Sequence, residues 1–153
     1  MTARNASEPP RAAPGSGPAL DRRELDESDL ELIAAAREAI RRGFHPVRHT
    51  VGAAVRALSG RIYVGVNLES CGYGPCAEPV AFGAAVCAGE RGVSAAVAVV
   101  ADREGCPVLP PCGNCRQLLA DYSPEAWVIL EEDGRRFKVR AAELLPVPYH
   151  FHG

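Results

Sequence analysis

Two short stretches, Cys76-Ala77-Glu78 and Pro111-Cys112-Gly113-Asn114-Cys115, decide the fold of this chain and the chemistry that it can support. Apolar sequence continues from each stretch, which predicts that each one opens a helix. Cys112 and Cys115 are three residues apart, so on a helix their sulfurs lie on one face within reach of a single ion. Together with Cys76 they form a set of thiolates typical of a catalytic zinc site, because a structural zinc normally has four protein ligands.

Glu78 is the expected proton carrier of this site. A carboxylate two residues after a metal ligand can take a proton from water and pass it to a substrate, which is general acid–base catalysis. The free N–H groups and the positive dipole end of a helix start stabilise thiolates, as zinc binding requires at Cys76 and Cys112. We therefore expect Cys76, Cys112 and Cys115 to bind Zn²⁺ and Glu78 to be the catalytic residue.

The C-x-x-C pair taken alone leaves other interpretations open. Cys112 and Cys115 could belong to a structural zinc site or form a redox-active dithiol. Glu78 at its offset, and Pro111 before the pair, favour a deaminase-type site, because C-x-E followed by P-C-x-x-C is typical of zinc-dependent nucleobase deaminases. A deaminase-fold binding module with a purely structural zinc is a further alternative, but a binding role gives no reason for a base at Glu78.

Three motifs in a fixed order resemble those of the small cytidine deaminases and of the related blasticidin-S deaminases. They are the run from Asn67 to Gly74, the Cys76-Ala77-Glu78 stretch, and the run from Pro111 to Leu119. The resemblance covers roughly residues 24 to 148. It implies a three-layer α/β/α fold with a mixed five-stranded sheet, a homotetramer built around the second helix, and zinc-dependent hydrolytic deamination of a cytosine-type nucleoside.

Two departures from the cytidine deaminase pattern leave the substrate open. The segment between Tyr73 and Cys76 is shorter than in typical cytidine deaminases and resembles that of blasticidin-S deaminase. A blasticidin-like aminopyrimidine nucleoside is therefore the alternative substrate. Pro79 stands where cytidine deaminases usually carry an arginine that hydrogen-bonds the thiolates, so Arg116 or the helix starts are expected to relieve the excess negative charge.

The resemblance also implies which residues hold the sugar. Asn67 and Glu69 match the pair that binds the ribose hydroxyls, and two residues apart on a strand they point the same way. Gly65, on the same face, is expected to leave space beside them. From spacing alone, polar residues that face water at a strand end would be the stronger interpretation of both positions.

Further positions are expected around the base of the substrate. Backbone groups around Ala77 and Cys112 are expected to hold the aminopyrimidine ring. His49 falls where an aromatic residue commonly lines the base pocket in the family, although a single histidine is more often structural. Tyr149 or Phe151 matches a C-terminal aromatic that closes over the base in the family, often from a neighbouring subunit.

Composition defines the domain and narrows its partners. Residues 1–23 are rich in proline and small residues and are expected to be disordered, with the domain over residues 24–148 and a C-terminal tail over residues 149–153. A net charge of −2 gives no basic patch for a nucleic acid. No apolar run reaches the length of about 18 residues that a membrane helix needs. The expected partner is therefore a small nucleoside.

The remaining cysteines, Cys71, Cys87 and Cys106, are expected to be free thiols and not metal ligands. The N-terminus has no apolar segment of the kind found in secretory signals, so disulfides are not expected. The predicted location is the cytoplasm.

Periodicity predicts elements in the order α-β-β-α-β-α-β-β-α, with a right-handed parallel crossover near the middle of the chain. A capping box of Ser28 and Glu31 is expected to open the first helix, which ends at Gly43. The second helix is apolar and small on all sides, which favours packing against another subunit. The other predicted elements are strands at 51–58 and 61–66, helices at 76–88 and 112–121, strands at 95–100, 127–130 and 137–139, and a helix at 141–145.

Overall fold

A mixed β-sheet forms the centre of the protein in the computed structural model, which describes residues 19–101 and 104–150. Its strands are β1 (Val51–Ala57), β2 (Ile62–Val66), β3 (Val93–Val100), β4 (Val108–Leu109), β5 (Trp127–Glu132) and β6 (Arg135–Arg140). They lie in the order β2-β1-β3-β5-β6, with β4 beside β3. β3 and β5 pair in parallel and the other neighbours are antiparallel, so the expected mixed five-stranded path is confirmed. The additional strand β4 was not predicted, because two residues are too few to show alternation.

Helices cover both faces of this sheet. They are α1 (Glu27–Gly43), α2 (Ala77–Cys87) and α3 (Gly113–Tyr122), and a single turn of 3₁₀ helix spans Ala141–Leu144 where a short last helix was expected. α1 packs on one face through a core that includes Leu32 and Val97. α2 and α3 pack on the other face through a core that includes Phe82 and Leu119. The three-layer α/β/α arrangement is therefore confirmed. None of the helices in the described residues combines the length and the apolar character needed to cross a lipid bilayer.

The first helix begins directly after Asp26. The Asp26 carboxylate accepts hydrogen bonds from the backbone N–H groups of Ser28 and Asp29 at 2.9 and 3.2 Å, and the Asp29 carboxylate accepts one from the Asp26 N–H at 3.0 Å. Lys138 of β6 donates to both carboxylates at 2.7 and 2.6 Å. The predicted Ser28–Glu31 capping box is wrong, because the same motif forms two residues earlier and a lysine distant in the sequence stabilises it.

The start of α2 lies directly against β2 at Gly65. A β-carbon at this position would stand 2.5 Å from the backbone nitrogen of Ala81 and 2.7 Å from the carbonyl oxygen of Ala77. Only glycine permits this approach. The expectation that Gly65 leaves open space beside Asn67 is therefore wrong, because the backbone of α2 fills that space.

Both ends of the described chain contact the domain. Arg23 and Lys138 pair through two backbone hydrogen bonds of 2.9 Å, so the ordered domain begins before the expected boundary at residue 24. At the other end, the side-chain amide of Gln117 bonds to the backbone of Tyr149, accepting at 2.9 Å and donating at 2.7 Å. The tail expected to be disordered at residues 1–18 lies outside the described residues.

Candidate metal centre and active site

Three sulfur atoms meet between the starts of α2 and α3. Cys76 is the N-cap residue of α2, Cys112 is the N-cap residue of α3, and Cys115 lies in the first turn of α3. The Sγ atom of Cys112 lies 3.6 Å from that of Cys76 and 3.5 Å from that of Cys115, and all three lie within 4.8 Å of one another. The helix starts that the sequence predicts bring the three expected ligands together.

The spacing and the charge of this cluster fit a zinc ion. Tetrahedral coordination with Zn–S bonds of about 2.3 Å places neighbouring sulfurs about 3.8 Å apart, close to the observed distances. Burial raises the pKa of the Cys115 thiol far above its ordinary value, and the negative charge of Glu78 raises it further. A thiol in such surroundings becomes a thiolate only beside a cation, which a divalent metal ion supplies.

The start of α3 relieves part of the negative charge. Burial alone would raise the pKa of Cys112, but hydrogen bonds from the backbone N–H groups of Cys115 and Asn114 and from the neighbouring thiols outweigh it and lower that pKa. Arg116 does not face the sulfurs, because its guanidinium donates to the backbone oxygens of Pro111 at 2.9 Å and Leu144 at 3.2 Å. Of the two sources of relief expected from the sequence, the structure supports the helix start.

Glu78 lies in the first turn of α2, and only 7% of it is exposed. Burial raises the pKa of Glu78 above its ordinary value, although hydrogen bonds from its own backbone and from Cys115 partly oppose the shift. A carboxylate whose pKa is raised toward neutrality is suited both to accept and to release a proton in one reaction. Glu78 therefore has the surroundings that a general acid–base residue requires.

A cavity of about 270 Å³ opens in front of Cys76, Cys112 and Glu78. This volume is close to the lower end for small-molecule sites, about 300 Å³. The lining residues include no arginine, lysine or histidine, so the charged groups of the wall are acids and thiols. The other lining residues are Thr50, Val51, Asn67, Glu69, Gly74, Pro75, Ala77, Ala98, Leu109 and Pro110.

Several of these lining residues were missed by the sequence analysis. Thr50 and Val51 lie where the chain enters β1, and Leu109 and Pro110 lie between β4 and α3. Two signals were available: Thr50 directly follows His49, and Pro110 directly precedes the Pro111-Cys112 motif. Neither residue carries a group that indicates chemistry by itself, so position in the fold is what reveals them.

Asn67 and Glu69 both reach the cavity wall, in different states. Asn67 is buried, with 9% of it exposed, and its side chain bonds to the chain segment that leads into β1. Glu69 is exposed, and the one side-chain contact recorded for its carboxylate within the described residues is the Asn67 amide at 3.4 Å. Glu69 is thus the polar group of this pair that is available to a ligand.

The structure brings Ala77 into the cavity wall and places His49 and Tyr149 outside it. The Nδ1 atom of His49 lies 2.8 Å from the backbone oxygen of Asn67, and because a carbonyl oxygen only accepts, Nδ1 donates the hydrogen bond. Tyr149 is 72% exposed and lies beside α3, held by Gln117. Phe151 lies outside the described residues.

Comparison with known proteins gives a consistent result. The family model described as the cytidine and deoxycytidylate deaminase zinc-binding region matches residues 26–131. The chain is 36% identical over 133 residues to blasticidin-S deaminase of Bacillus cereus, covering 82% of this chain and 94% of that protein. It is 46% identical over 98 residues to cytidine deaminase of Sporosarcina psychrophila, covering 61% and 70%. The crystal structure of cytidine deaminase from Mycobacterium tuberculosis superimposes with a TM-score of 0.68 at 29% identity, covering 84% of this chain and all of that one.

Proposed function

Since the chain belongs to the cytidine and deoxycytidylate deaminase family, we propose that it is a zinc-dependent hydrolase that deaminates a cytosine-type nucleoside. Water adds at ring carbon C4, the bond between C4 and the amino nitrogen breaks, and the products are a uracil nucleoside and ammonia. The observation that carries this proposal is the buried Glu78 carboxylate, which shares one cavity with two members of the cysteine cluster.

Cys76, Cys112 and Cys115 would hold the metal. When bound, zinc supplies Lewis acidity, which makes water a competent nucleophile near neutral pH. Glu78 takes a proton from the attacking water and delivers it to ring nitrogen N3. It then carries the proton of the new hydroxyl group on C4 to the amino nitrogen, which leaves with the bonding electron pair as ammonia. One residue in two protonation states thus performs every proton transfer.

The remaining contacts are assigned by position in the cavity. Glu69 is proposed to accept hydrogen bonds from the sugar hydroxyls, because its carboxylate lies at the wall. Backbone groups at Ala77 and Cys112 are proposed to hold the aminopyrimidine ring beside the metal. Tyr149 and Phe151 remain candidates for closing the site of a neighbouring subunit, since Tyr149 lies outside the cavity of its own chain.

A substrate panel tests the proposal. The full chain, purified and loaded with zinc, is mixed with cytidine, deoxycytidine and free cytosine, and ammonia release and loss of cytosine absorbance are measured. We expect turnover of a nucleoside and little turnover of free cytosine, because binding energy from the sugar positions C4 at the metal. Replacing Glu69 by alanine should lower nucleoside kcat/KM by about tenfold or more. No turnover by folded, zinc-replete protein would contradict the proposal.

A second candidate substrate is a blasticidin-like aminopyrimidine nucleoside. The observation in its favour is the blasticidin-S deaminase of Bacillus cereus, which is 36% identical to this chain over 94% of its own length. Adding blasticidin S to the same panel separates the two candidates. Turnover of blasticidin S with none of cytidine would favour the second, and the roles of Glu78 and of the cysteines would be unchanged.

We also propose a homotetramer assembled through α2. The face of α2 that points away from the sheet exposes Gly83, Ala84, Val86 and Cys87, and no charged side chain lies among them. Val86 is 50% exposed, an uncommon state for the middle of an apolar helix. Light scattering measures the mass directly. Ala84→Arg should reduce the mass, whereas Leu30→Arg, on the exposed side of α1, should not.

The predicted cytoplasmic location rests on the thiols. All six cysteines are free, three in the cluster and three elsewhere in the described residues. Proteins of oxidising compartments commonly pair such cysteines as disulfides, whereas reducing compartments keep them free. Free thiols at every cysteine are therefore consistent with a cytoplasmic enzyme. Cell fractionation of the native protein checks this.

A further inference from the structure

The amide of Asn67 joins two walls of the cavity. Its Oδ1 atom accepts hydrogen bonds from the backbone N–H groups of Thr50 and Val51, each at 2.9 Å. Its Nδ2 atom donates to the backbone oxygen of Arg48 at 3.2 Å and to the Glu69 carboxylate at 3.4 Å. Asn67 thus links the segment that enters β1 with the segment that leaves β2.

These bonds use the whole capacity of the side chain. A carboxamide oxygen accepts two hydrogen bonds and a carboxamide nitrogen donates two. The orientation is also fixed, because the reversed amide would point its N–H groups at two backbone N–H groups. A substrate hydroxyl could bond to Asn67 only by displacing one of these partners.

The main chain of Asn67 strengthens the same connection. Its N–H donates to the Val51 oxygen at 3.0 Å, and its oxygen accepts from His49 Nδ1 at 2.8 Å. Thr50 and Val51, which the amide holds, are themselves lining residues. Loss of the amide would leave two backbone N–H groups at the cavity wall without their acceptor, and such groups move to find another partner.

We infer that Asn67 is a positioning residue that fixes the Thr50–Val51 wall of the cavity and does not itself bind the substrate. This inference rests on the proposed function for its kinetic consequences, although the connection itself is independent of any reaction. Glu69 is then the member of the pair that contacts the sugar, and Asn67 acts on the substrate through the shape of the wall.

Kinetics with two nucleosides distinguish positioning from contact. The substrates are cytidine and 2′,3′-dideoxycytidine, which lacks the sugar hydroxyls. For zinc-loaded Asn67→Ala we expect KM to rise about tenfold or more for both substrates by the same factor, because a displaced wall misplaces either one. A loss confined to cytidine would mean that Asn67 binds the hydroxyls and would overturn the inference. A lower kcat with unchanged KM would reduce Asn67 to a structural role and also overturn it.

Hydrogen exchange tests the connection without a substrate. The amides of Thr50 and Val51 should exchange about tenfold faster or more in Asn67→Ala than in the wild type. Asn67→Asp keeps an acceptor for both N–H groups, so it should retain most of their protection and remains informative if the alanine variant does not fold. Equal protection in the wild type and the alanine variant, or equal loss in both variants, would overturn the inference.

Ser123 provides a matched control. Its buried hydroxyl accepts a hydrogen bond from the backbone N–H of Val93, the first residue of β3, at 3.0 Å, and Ser123 does not line the cavity. Ser123→Ala should lower thermal stability and leave both KM values unchanged. If the wild type deaminated neither nucleoside, the proposed function would fail, whereas the exchange measurement would still decide the role of Asn67.

Discussion

The backbone nitrogen of Ala81 lies 2.5 Å from the point where a β-carbon on Gly65 would stand. Side chains in folded proteins essentially never approach this closely, and the neighbour here is helix backbone that cannot turn aside. The same helix carries Glu78 in its first turn and has Cys76 as its N-cap residue. The contact between β2 and α2 at Gly65 therefore sets the position of the base and of one metal ligand.

Gly65→Ala should lower stability by about 1–3 kcal/mol, the usual cost of overpacking, and should reduce zinc content or turnover by displacing the start of α2. Urea unfolding and metal analysis measure the two effects. Gly72→Ala adds the same methyl group where no atom lies within 4 Å and is the control. Similar stability for the two variants would show that α2 can shift at no cost.

Glu78→Gln should retain zinc and stability while kcat falls by about two to four orders of magnitude. The amide preserves the size of the side chain but cannot accept and return a proton. Steady-state kinetics and metal analysis on the same preparation check both statements. Turnover near that of the wild type would contradict the assignment of Glu78 as the proton carrier.

Cys112→Ser should lose most of the bound zinc and lower the melting temperature. Serine replaces a soft thiolate ligand with a poor one, and the free energy of metal binding contributes to folding. Cys71→Ser is the matched control, because Cys71 is an exposed cysteine outside the cluster. One zinc per chain in Cys112→Ser would show that this sulfur is not a ligand.

Asp26→Asn should show the contribution of one charge to stability, since asparagine also caps helices well. Hydrogen bonds from Lys138 and Ser28 hold the pKa of Asp26 far below its ordinary value. A lowered folded-state pKa stabilises the protein above the ordinary aspartate pKa of about 3.9, and this stabilisation disappears as the pH falls through the folded-state pKa. The side chain is 59% exposed, so solvent screening limits the difference at pH 7 to about 0.5–1 kcal/mol.

Urea unfolding of the wild type and Asp26→Asn at pH 7 and at progressively lower pH measures this difference. We expect the gap between the two proteins to narrow as the solution becomes acidic. A gap that stayed constant down to strongly acidic pH would assign the effect to hydrogen-bond geometry and not to charge.

The metal centre was predictable because its residues carry their chemistry in their spacing. Cys76, Cys112, Cys115 and Glu78 needed only two helix starts facing one point, and apolar sequence after each motif indicates such starts. The strand order followed from the same periodicity, with ends that differ by a few residues. These predictions depended on local pattern and on little else.

The errors arose where partners distant in the sequence decide the outcome. Two capping boxes were possible at the start of α1, and Lys138, more than a hundred positions away, bonds to the one at Asp26. Gly65 has no side chain, so its pattern cannot distinguish open space from a close approach by another segment. The partners of Asn67 are backbone groups, which every residue type carries, and sequence therefore gives no signal for them.

A cation held by Cys76 and Cys112 would also act as a cross-link. The two cysteines are 36 positions apart, and the chain between them contains β3, the strand that pairs with β1, β4 and β5. Closing a loop of that size restricts the unfolded chain by about 4 kcal/mol in the entropy model used for disulfides. A chelator would then do more than remove an active metal: it would enlarge the ensemble that competes with the native fold.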